Sequence, residues 1–397
     1  MILRDEALAI VDEKLGAMRL PTEEVKTQSA LMRRIAQDQH SRLDIPPFNR
    51  SAMDGFAIPA GDVCERYRVL ETITAGITPT KALLPGTATR VMTGAAVPEG
   101  AARVVMVELA EESGAEVTFE RIPETTNICS TGEDMARGDL VLEAGALLGP
   151  LEIASLVSVG ITEIPVGRAP RVAILSTGDE LVDDPGLLVP GKIMNSNGPL
   201  LRSLCQRSGL EVVRCERVAD SLEATVDALT ACLAEADILI LSGGVSVGEF
   251  DFVPQALERV GLTIHFDRLA MQPGKPTTFA SSPEKIVFGL PGNPVAVYLM
   301  FHLFVLRAVA LLAGSRHGVC YRSLILGFDY SRKNAGRLAY VPCQLGHDGS
   351  IQRINYHGSA HLLALHKADG FFLVPQGASK LSRGERVEFL SMRGGFE

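Results

Sequence analysis

From residue 170 onward the apolar positions switch repeatedly between two periods. PRVAIL (170–175) is an apolar run of strand length, and GPLLRSLCQRSG (198–209) spaces its leucines along one helical face. LEVVRCERV (210–218) reads as a strand, and SLEATVDALTACLAEA (221–236) as a helix with Ser221 as its cap. ADILIL (236–241), LTIHF (262–266) and KIVFGL (285–290) are further strands, and DFVPQALERVG is a further helix. PVAVYLMFHLFVLRAVALLAG closes the unit as a long helix with Pro294 in its first turn. Strands alternating with helices predict a mostly parallel sheet covered on both faces, with ligands bound beyond the carboxyl ends of its strands. Three strands end in small polar residues: AILSTGDEL, LILSGGVSVGEFDF and IVFGLPGNP. If they are neighbours, their loops form one polar floor.

Outside this unit the periodicity is weaker. Residues 1–40 read as helical, and residues 151–159 as another helix. Short β-like runs (RVVMVEL, AEVTFERI, DLVLEAG) separated by Gly and Pro fill 56–147. After Gly314, RSLILGFDY, GRLAYVPCQL, GSIQRINY, DGFFLVP and ERVEFLSM predict a compact β domain to the end.

The 397 residues suffice for roughly two to four domains. A net charge of -9 disfavours nucleic-acid or anionic-membrane partners, so an anionic ligand needs a local basic or amide-rich site. The acidic N-terminus does not read as an export signal. The longest apolar stretch, 298–314, is broken by His302 and Arg307 and falls short of the ~20 residues of a membrane span, which favours a buried helix. Seven cysteines without a CxxC spacing fit reduced thiols in a cytoplasm.

Taken alone, the SGG turn at 242–244 fits either an anion-binding nest of backbone amides or a tight strand-to-helix connection. PGKPTTF (273–279) sets Lys275 between two prolines, as a positioned charge for a tetrahedral oxyanion, and Arg268 could add a second. Asp179, Glu180, Asp220, Glu249 and Asp251 stand against that reading. An unscreened like-charge pair at ~4 Å costs roughly 4 kcal/mol at an effective dielectric of 20. A bridging Mg²⁺ removes the conflict, because it takes one or two carboxylates and fills its octahedron with water and phosphate oxygens. No GxxxxGK[ST] and no GxGxxG after a strand occur, against a P-loop hydrolase and a Rossmann dehydrogenase. His357, His361 and His366 share an HxxxH spacing but lack a further ligand at helical spacing, and read as a surface cluster.

Read in order, these stretches resemble the molybdopterin molybdenumtransferase family, to which the gephyrin E domain belongs. The resemblance runs from about residue 45 to 378, through PPFNRSAMDGFAI, VMTGAAVPEGAARVVMVE, GED, PRVAILSTGDEL, GKIMNSNGPLL, SGGVSVGEFDFV, MQPGKPTTF, GLPGNPVA and GSAHLLALHKADGFFLVP. It implies an enzyme that takes adenylylated molybdopterin and molybdate and, with Mg²⁺, releases AMP and molybdenum cofactor. Ser242, Gly243, Gly244 and Ser246, with Pro291, Gly292 and Asn293, then floor the pterin-nucleotide site. Glu180 and Asp251 lie near Mg²⁺, and Asp220 joins their cluster. Lys275, Pro276, Arg337 and Ser359 match positions near molybdate. Asp54 and Thr93 match functional positions of an inserted domain that reaches over the partner's cleft in a homodimer. Molybdopterin adenylyltransferase and apo-molybdoenzymes are the implied protein partners.

The implied architecture is multidomain α/β plus β: a discontinuous N-terminal domain (1–47 and 140–169), an inserted β-rich domain (48–139), a three-layer α/β molybdopterin-binding domain (170–315) and a C-terminal β-barrel domain (316–397). The chain departs from the family pattern at Ile128 and Cys129, at Ala102 and Arg103, and at Gln272. Molybdopterin adenylylation, by an enzyme with a related α/β domain, and a non-catalytic pterin scaffold or carrier remain the alternatives. The inserted domain and the C-terminal β domain favour insertion.

Overall fold

Alternate residues of the 170–290 strands enter two different cores, which makes this unit a three-layer sandwich. In the computed structural model, which describes residues 1–244, 252–314 and 319–392, Val172, Ile174, Ile238 and Ile240 pack with Leu201, Leu204 and Val295 on one face. Ala173, Leu175, Leu239 and Leu241 pack with Leu229, Cys232 and Ala256 on the other. Two covered faces explain why these strands are continuously apolar rather than alternating.

The six-stranded sheet runs in the order Glu211–Val218, Arg171–Thr177, Ile238–Ser242, Ile286–Leu290, Thr278–Ser281, Thr263–Phe266. Its first four strands are parallel. Thr278–Ser281 is antiparallel to both its neighbours, Ile286–Leu290 and Thr263–Phe266, so the sheet is mostly parallel with this one strand reversed. The reason is the short 282–285 turn, closed by Ser282 N–H to the Lys285 carbonyl at 2.9 Å, which returns the chain as a hairpin. PGKPTTF is therefore not all loop: from Thr278 it is strand, and Thr277 and Thr278 are fully buried. The three polar-ended strands are adjacent, as their shared chemistry requires.

The long apolar helix forms, but its middle turn, Phe301–Val305, is π-helical between Pro294–Met300 and Leu306–Leu312. It is a core helix, with 78% of its most apolar window buried.

The N-terminal expectation fails after one helix. Arg4–Leu15 is helical, but Thr22–Lys26 is a strand antiparallel to Glu163–Gly167. Gly16 and Pro21 end the helical pattern, and the β-branched Thr22 and Val25 suit the strand that follows. The helix beginning at Pro150 forms as expected, through Ser158.

A second six-stranded sheet lies within 55–119, in the order Ala101–Met106, Gly55–Pro59, Thr87–Val91, Tyr67–Ile73, Glu116–Phe119, Ala110–Ser113. The C-terminal sheet joins Leu338–Leu345, Gly370–Val374, Arg386–Ser391 and Tyr321–Ile325, with Ile351–Arg353 paired to the first of these. Met271–Gln272, at the head of the PGKP segment, pairs in parallel with Leu338 and Ala339. This pairing sews the α/β unit to the C-terminal sheet. The N-terminus tightens the seam: Ile2 N–H donates to the Arg268 carbonyl at 3.1 Å, and the Arg4 guanidinium donates to Tyr340 Oη at 2.9 Å.

Candidate active site

A cleft of about 1390 Å³ opens where the α/β unit meets the C-terminal sheet. Its floor is the row of three strand ends. Thr177, Gly178 and Glu180 stand at the end of the first strand; Ser242, Gly243 and Gly244 at the end of the second; Pro291, Gly292 and Asn293 at the end of the third. Asp220, Lys275, Pro276, Arg337 and Ser359 complete the set of expected residues that line it. The turns and the PGKP segment thus converge.

The glycine pair is a geometric requirement. Gly243 and Gly244 have φ of 93° and 63°, and a Cβ on Gly243 would sit 2.5 Å from the Thr177 carbonyl oxygen. Only glycine combines that backbone with that approach. The nest reading needs one correction. The Gly243 N–H donates to the Leu290 carbonyl at 3.1 Å, continuing the ladder by one rung, so it is not available to a ligand.

Asn197, at the start of helix Asn197–Arg207, was not expected as a site residue. Its amide nitrogen donates to Ser242 Oγ at 2.7 Å and to the Gly292 carbonyl at 2.6 Å, pinning two turns together. A carbonyl can only accept, so Nδ2 must face Gly292, which sends Oδ1 the other way. Asn197 Oδ1 and Thr177 Oγ1 are buried without a partner among the described residues. The neighbouring loop continues the chain of contacts: Asn293 Nδ2 donates to Ser359 Oγ at 2.9 Å, and Val295 N–H to the Ser359 carbonyl at 3.2 Å. The legible signal was the NSNG run before a helical pattern, which placed an amide at a helix start.

The acids are held by backbone. Asp179 N–H donates to Asp220 Oδ2 at 3.0 Å, and Asp220 N–H returns to Asp179 Oδ1 at 3.2 Å. The cap of the next helix is Ser221, whose side chain accepts from Ala224 N–H. Asp220 is thereby fixed at the cleft edge rather than used as that cap. Glu180 folds back over Gly178, where an added Cβ would meet its carboxylate oxygens at 2.6 and 2.8 Å.

Lys275 is exposed on a fixed backbone. Its carbonyl accepts from Leu269 N–H at 2.8 Å and Thr277 N–H at 3.1 Å, and Thr277 Oγ1 donates to the Gly274 carbonyl at 2.7 Å. Among the described residues no carboxylate pairs with its ammonium. Arg268, expected as a second charge, is instead 3.6 Å from Asp267 and does not line the cleft.

Asp54 and Thr93 are brought together, but not at this cleft. They flank adjacent strands of the inserted sheet, and Asp54 Oδ1 accepts from Thr93 N–H at 2.6 Å and from Thr93 Oγ1 at 2.7 Å. These bonds hold the Asp54 carboxyl below its ordinary range, the backbone donor contributing most. Ser246, Glu249 and Asp251 lie outside the described residues. His357 and His361 stack with ring centroids 5.2 Å apart, and among the described residues no group of three or more His, Cys, Asp or Glu is placed to hold a metal. All seven cysteines are free thiols.

The opposite wall was largely missed. Phe328, Tyr330, Lys333, Arg353 and Tyr356 all line it. The alternation of Phe328 and Tyr330 in GFDYSRK could have placed those two rings on one face.

Comparisons with known proteins cover nearly the whole chain. Residues 2–160 match the MoeA N-terminal region (domain I and II), residues 173–310 a probable molybdopterin binding domain, and residues 325–392 the MoeA C-terminal region (domain IV). A molybdopterin molybdenumtransferase of Bacillus subtilis is 35% identical over 389 residues, covering 94% of this chain and 90% of that protein. One of Staphylococcus epidermidis is 35% identical over 369 residues, covering 90% and 88%. The crystal structure of a molybdopterin biosynthesis MoeA protein from Pyrococcus horikoshii superimposes with a TM-score of 0.83 at 28% identity, covering 98% of this chain and 100% of that one. A chain with all three regions, this cleft and relatives of that identity over nearly its whole length belongs to the molybdopterin molybdenumtransferase family.

Proposed function

We propose that this protein inserts molybdate into adenylylated molybdopterin, breaking the phosphoanhydride and releasing AMP and molybdenum cofactor. The observation that carries the reading is convergence. A lysine on a rigid segment, with no carboxylate partner among the described residues, meets an arginine and a serine from the C-terminal part and three phosphate-compatible turns in one cleft. The names of the relatives support the same chemistry.

Asn197 and the Ser242, Gly244 and Gly292 turns hold the phosphates in place, while Lys275, Arg337 and Ser359 position the oxyanion. Phosphoanhydride cleavage asks little covalent help from protein, so orientation and charge carry most of the rate. Mg²⁺ would be held by one or two carboxylates and by substrate phosphates; Glu180 and Asp220 line the cleft as candidate partners, and Asp251, which the family resemblance implies as a ligand, lies outside the described residues. When bound, the ion supplies the positive charge that screens those phosphates from Glu180 and Asp220.

Asp54 and Thr93 are exposed and stand away from their own cleft, which supports a homodimer in which they face the partner's. A cytoplasmic location, contact with molybdopterin adenylyltransferase and delivery to apo-molybdoenzymes complete the proposal. The domain division at 1–47 with 140–169, 48–139, 170–315 and 316–397 belongs to it as well, supported by the pairing of Thr22–Lys26 with Glu163–Gly167.

The test is AMP release from adenylylated molybdopterin with Mg²⁺, with and without molybdate, beside a tungstate arm. Oxyanion-dependent release is expected. No release with either oxyanion, despite measurable ligand binding, would make the protein a carrier.

A further inference from the structure

The two walls of the cleft differ in kind. Among the described residues the α/β wall supplies glycine turns, hydroxyls and two acids, and every described aromatic residue lining the cleft comes from residues 328–372. On that wall Phe328 and Tyr330 stand edge-on to the buried Phe372, at 5.9 Å and 84° and at 5.3 Å and 87°. Two perpendicular contacts to one buried ring fix both ring planes. The Arg353 guanidinium lies over Phe328 at 5.1 Å.

We propose that this wall is a stacking shelf for a planar nitrogen heterocycle, with Tyr330, Tyr356 and Arg353 as its contact residues. The inference rests on the pterin-nucleotide reading of the cleft and assigns the wall that takes a ring. The half-buried Tyr321 and the buried Tyr340 find partners: they share a hydrogen bond of 2.7 Å, and both receive Arg4. Tyr330 and Tyr356 are also half-buried, but neither hydroxyl has a partner among the described residues. Burial pushes the Tyr356 phenol up to about 12, so it remains a neutral donor at working pH. The arginines of this wall divide by use. Arg332 is committed to the carbonyls of Ala378, Arg337 and Pro375, whereas Arg353 is exposed and makes one long bond, 3.4 Å, to the Asp329 carbonyl. Rings stack on such faces whatever their substituents, and a cation over the ring adds to the attraction.

Adenylylated molybdopterin carries two such rings, and separate probes distinguish them. Full-length wild type, Tyr330→Leu, Tyr356→Leu and Arg353→Gln are titrated with AMP, with pterin-6-carboxylate and with inorganic pyrophosphate. The chain has no tryptophan, so pterin fluorescence is read without indole overlap. We expect the two leucine variants to lose roughly 5- to 150-fold in affinity for one ring probe, with pyrophosphate unchanged. Tyr330→Phe should retain most of the affinity, as stacking requires. The responding probe names the ring. Unchanged ring affinities, or an equal loss for all three probes, overturns the shelf, and so does a wild type that binds neither ring. None of these touches molybdate-dependent AMP release by the wild type, whose absence would instead overturn the proposed function.

Discussion

Asn197 and Gly292 are joined by a hydrogen bond of 2.6 Å from side-chain amide to carbonyl, across the ends of two separate loops. With the second bond to Ser242, one side chain sets the spacing of the cleft floor. Asn197→Asp keeps the shape but turns a donor into an acceptor facing a carbonyl. We expect at least a tenfold loss of AMP affinity in that variant, against a stability loss of about 1–3 kcal/mol. Paired calorimetric titration and urea unfolding measure both, and a loss confined to stability would remove Asn197 from the site.

Two glycines of the floor should respond in opposite ways. Gly243→Ala forces a Cβ to 2.5 Å from a carbonyl oxygen at φ 93°, and should destabilise the protein by roughly 2–4 kcal/mol. At Gly292 the nearest atom to an added Cβ is Gly243 Cα, at 3.8 Å. Gly292→Ala should unfold within about 0.5 kcal/mol of wild type while narrowing the cleft. Chemical denaturation of the two variants checks the contrast.

Lys275 offers a separation of function from folding. Its carbonyl holds the segment and its side chain pairs with nothing described, so Lys275→Ala should leave unfolding within about 0.5 kcal/mol. Molybdate-dependent AMP release should fall more than tenfold, with molybdate affinity falling in step. Equal turnover at an unchanged melting temperature removes the lysine from the mechanism.

Thr93→Val deletes the hydroxyl donor to Asp54 and leaves the backbone donor. The Asp54 pKa, lowered in the wild type, should rise part of the way toward the ordinary carboxylate value. A folded pKa below the unfolded one gives stability that is present above the ordinary carboxylate range and lost as pH falls through the lowered value. Wild type and variant should therefore converge in acid and differ at neutral pH. Carboxyl-carbon NMR titration reads the shift directly, and an unmoved Asp54 would contradict it.

Much of this protein was legible in one dimension because the relevant forces are local or periodic. Apolar period located the 170–312 strands and helices, since each strand must bury two faces and each helix one. Glycine, proline and small polar residues at three strand ends marked the floor, because only such residues tolerate its turns. Order along the chain identified the family. The antiparallel strand at Thr278 depends on a short turn whose hydrogen bonds periodicity does not register. The loss of helix after Leu15 depends on a partner strand some 140 residues away. Lys275 and Arg337 share a wall only because Met271 pairs with Leu338. Asp54 and Thr93, 39 positions apart, meet only when their strands pair. Asn197 gained its role from two carboxyl-end loops arriving beside one helix start, and the aromatic wall from the docking of the C-terminal sheet. Contacts between distant segments set these relationships, and no spacing along the chain encodes them.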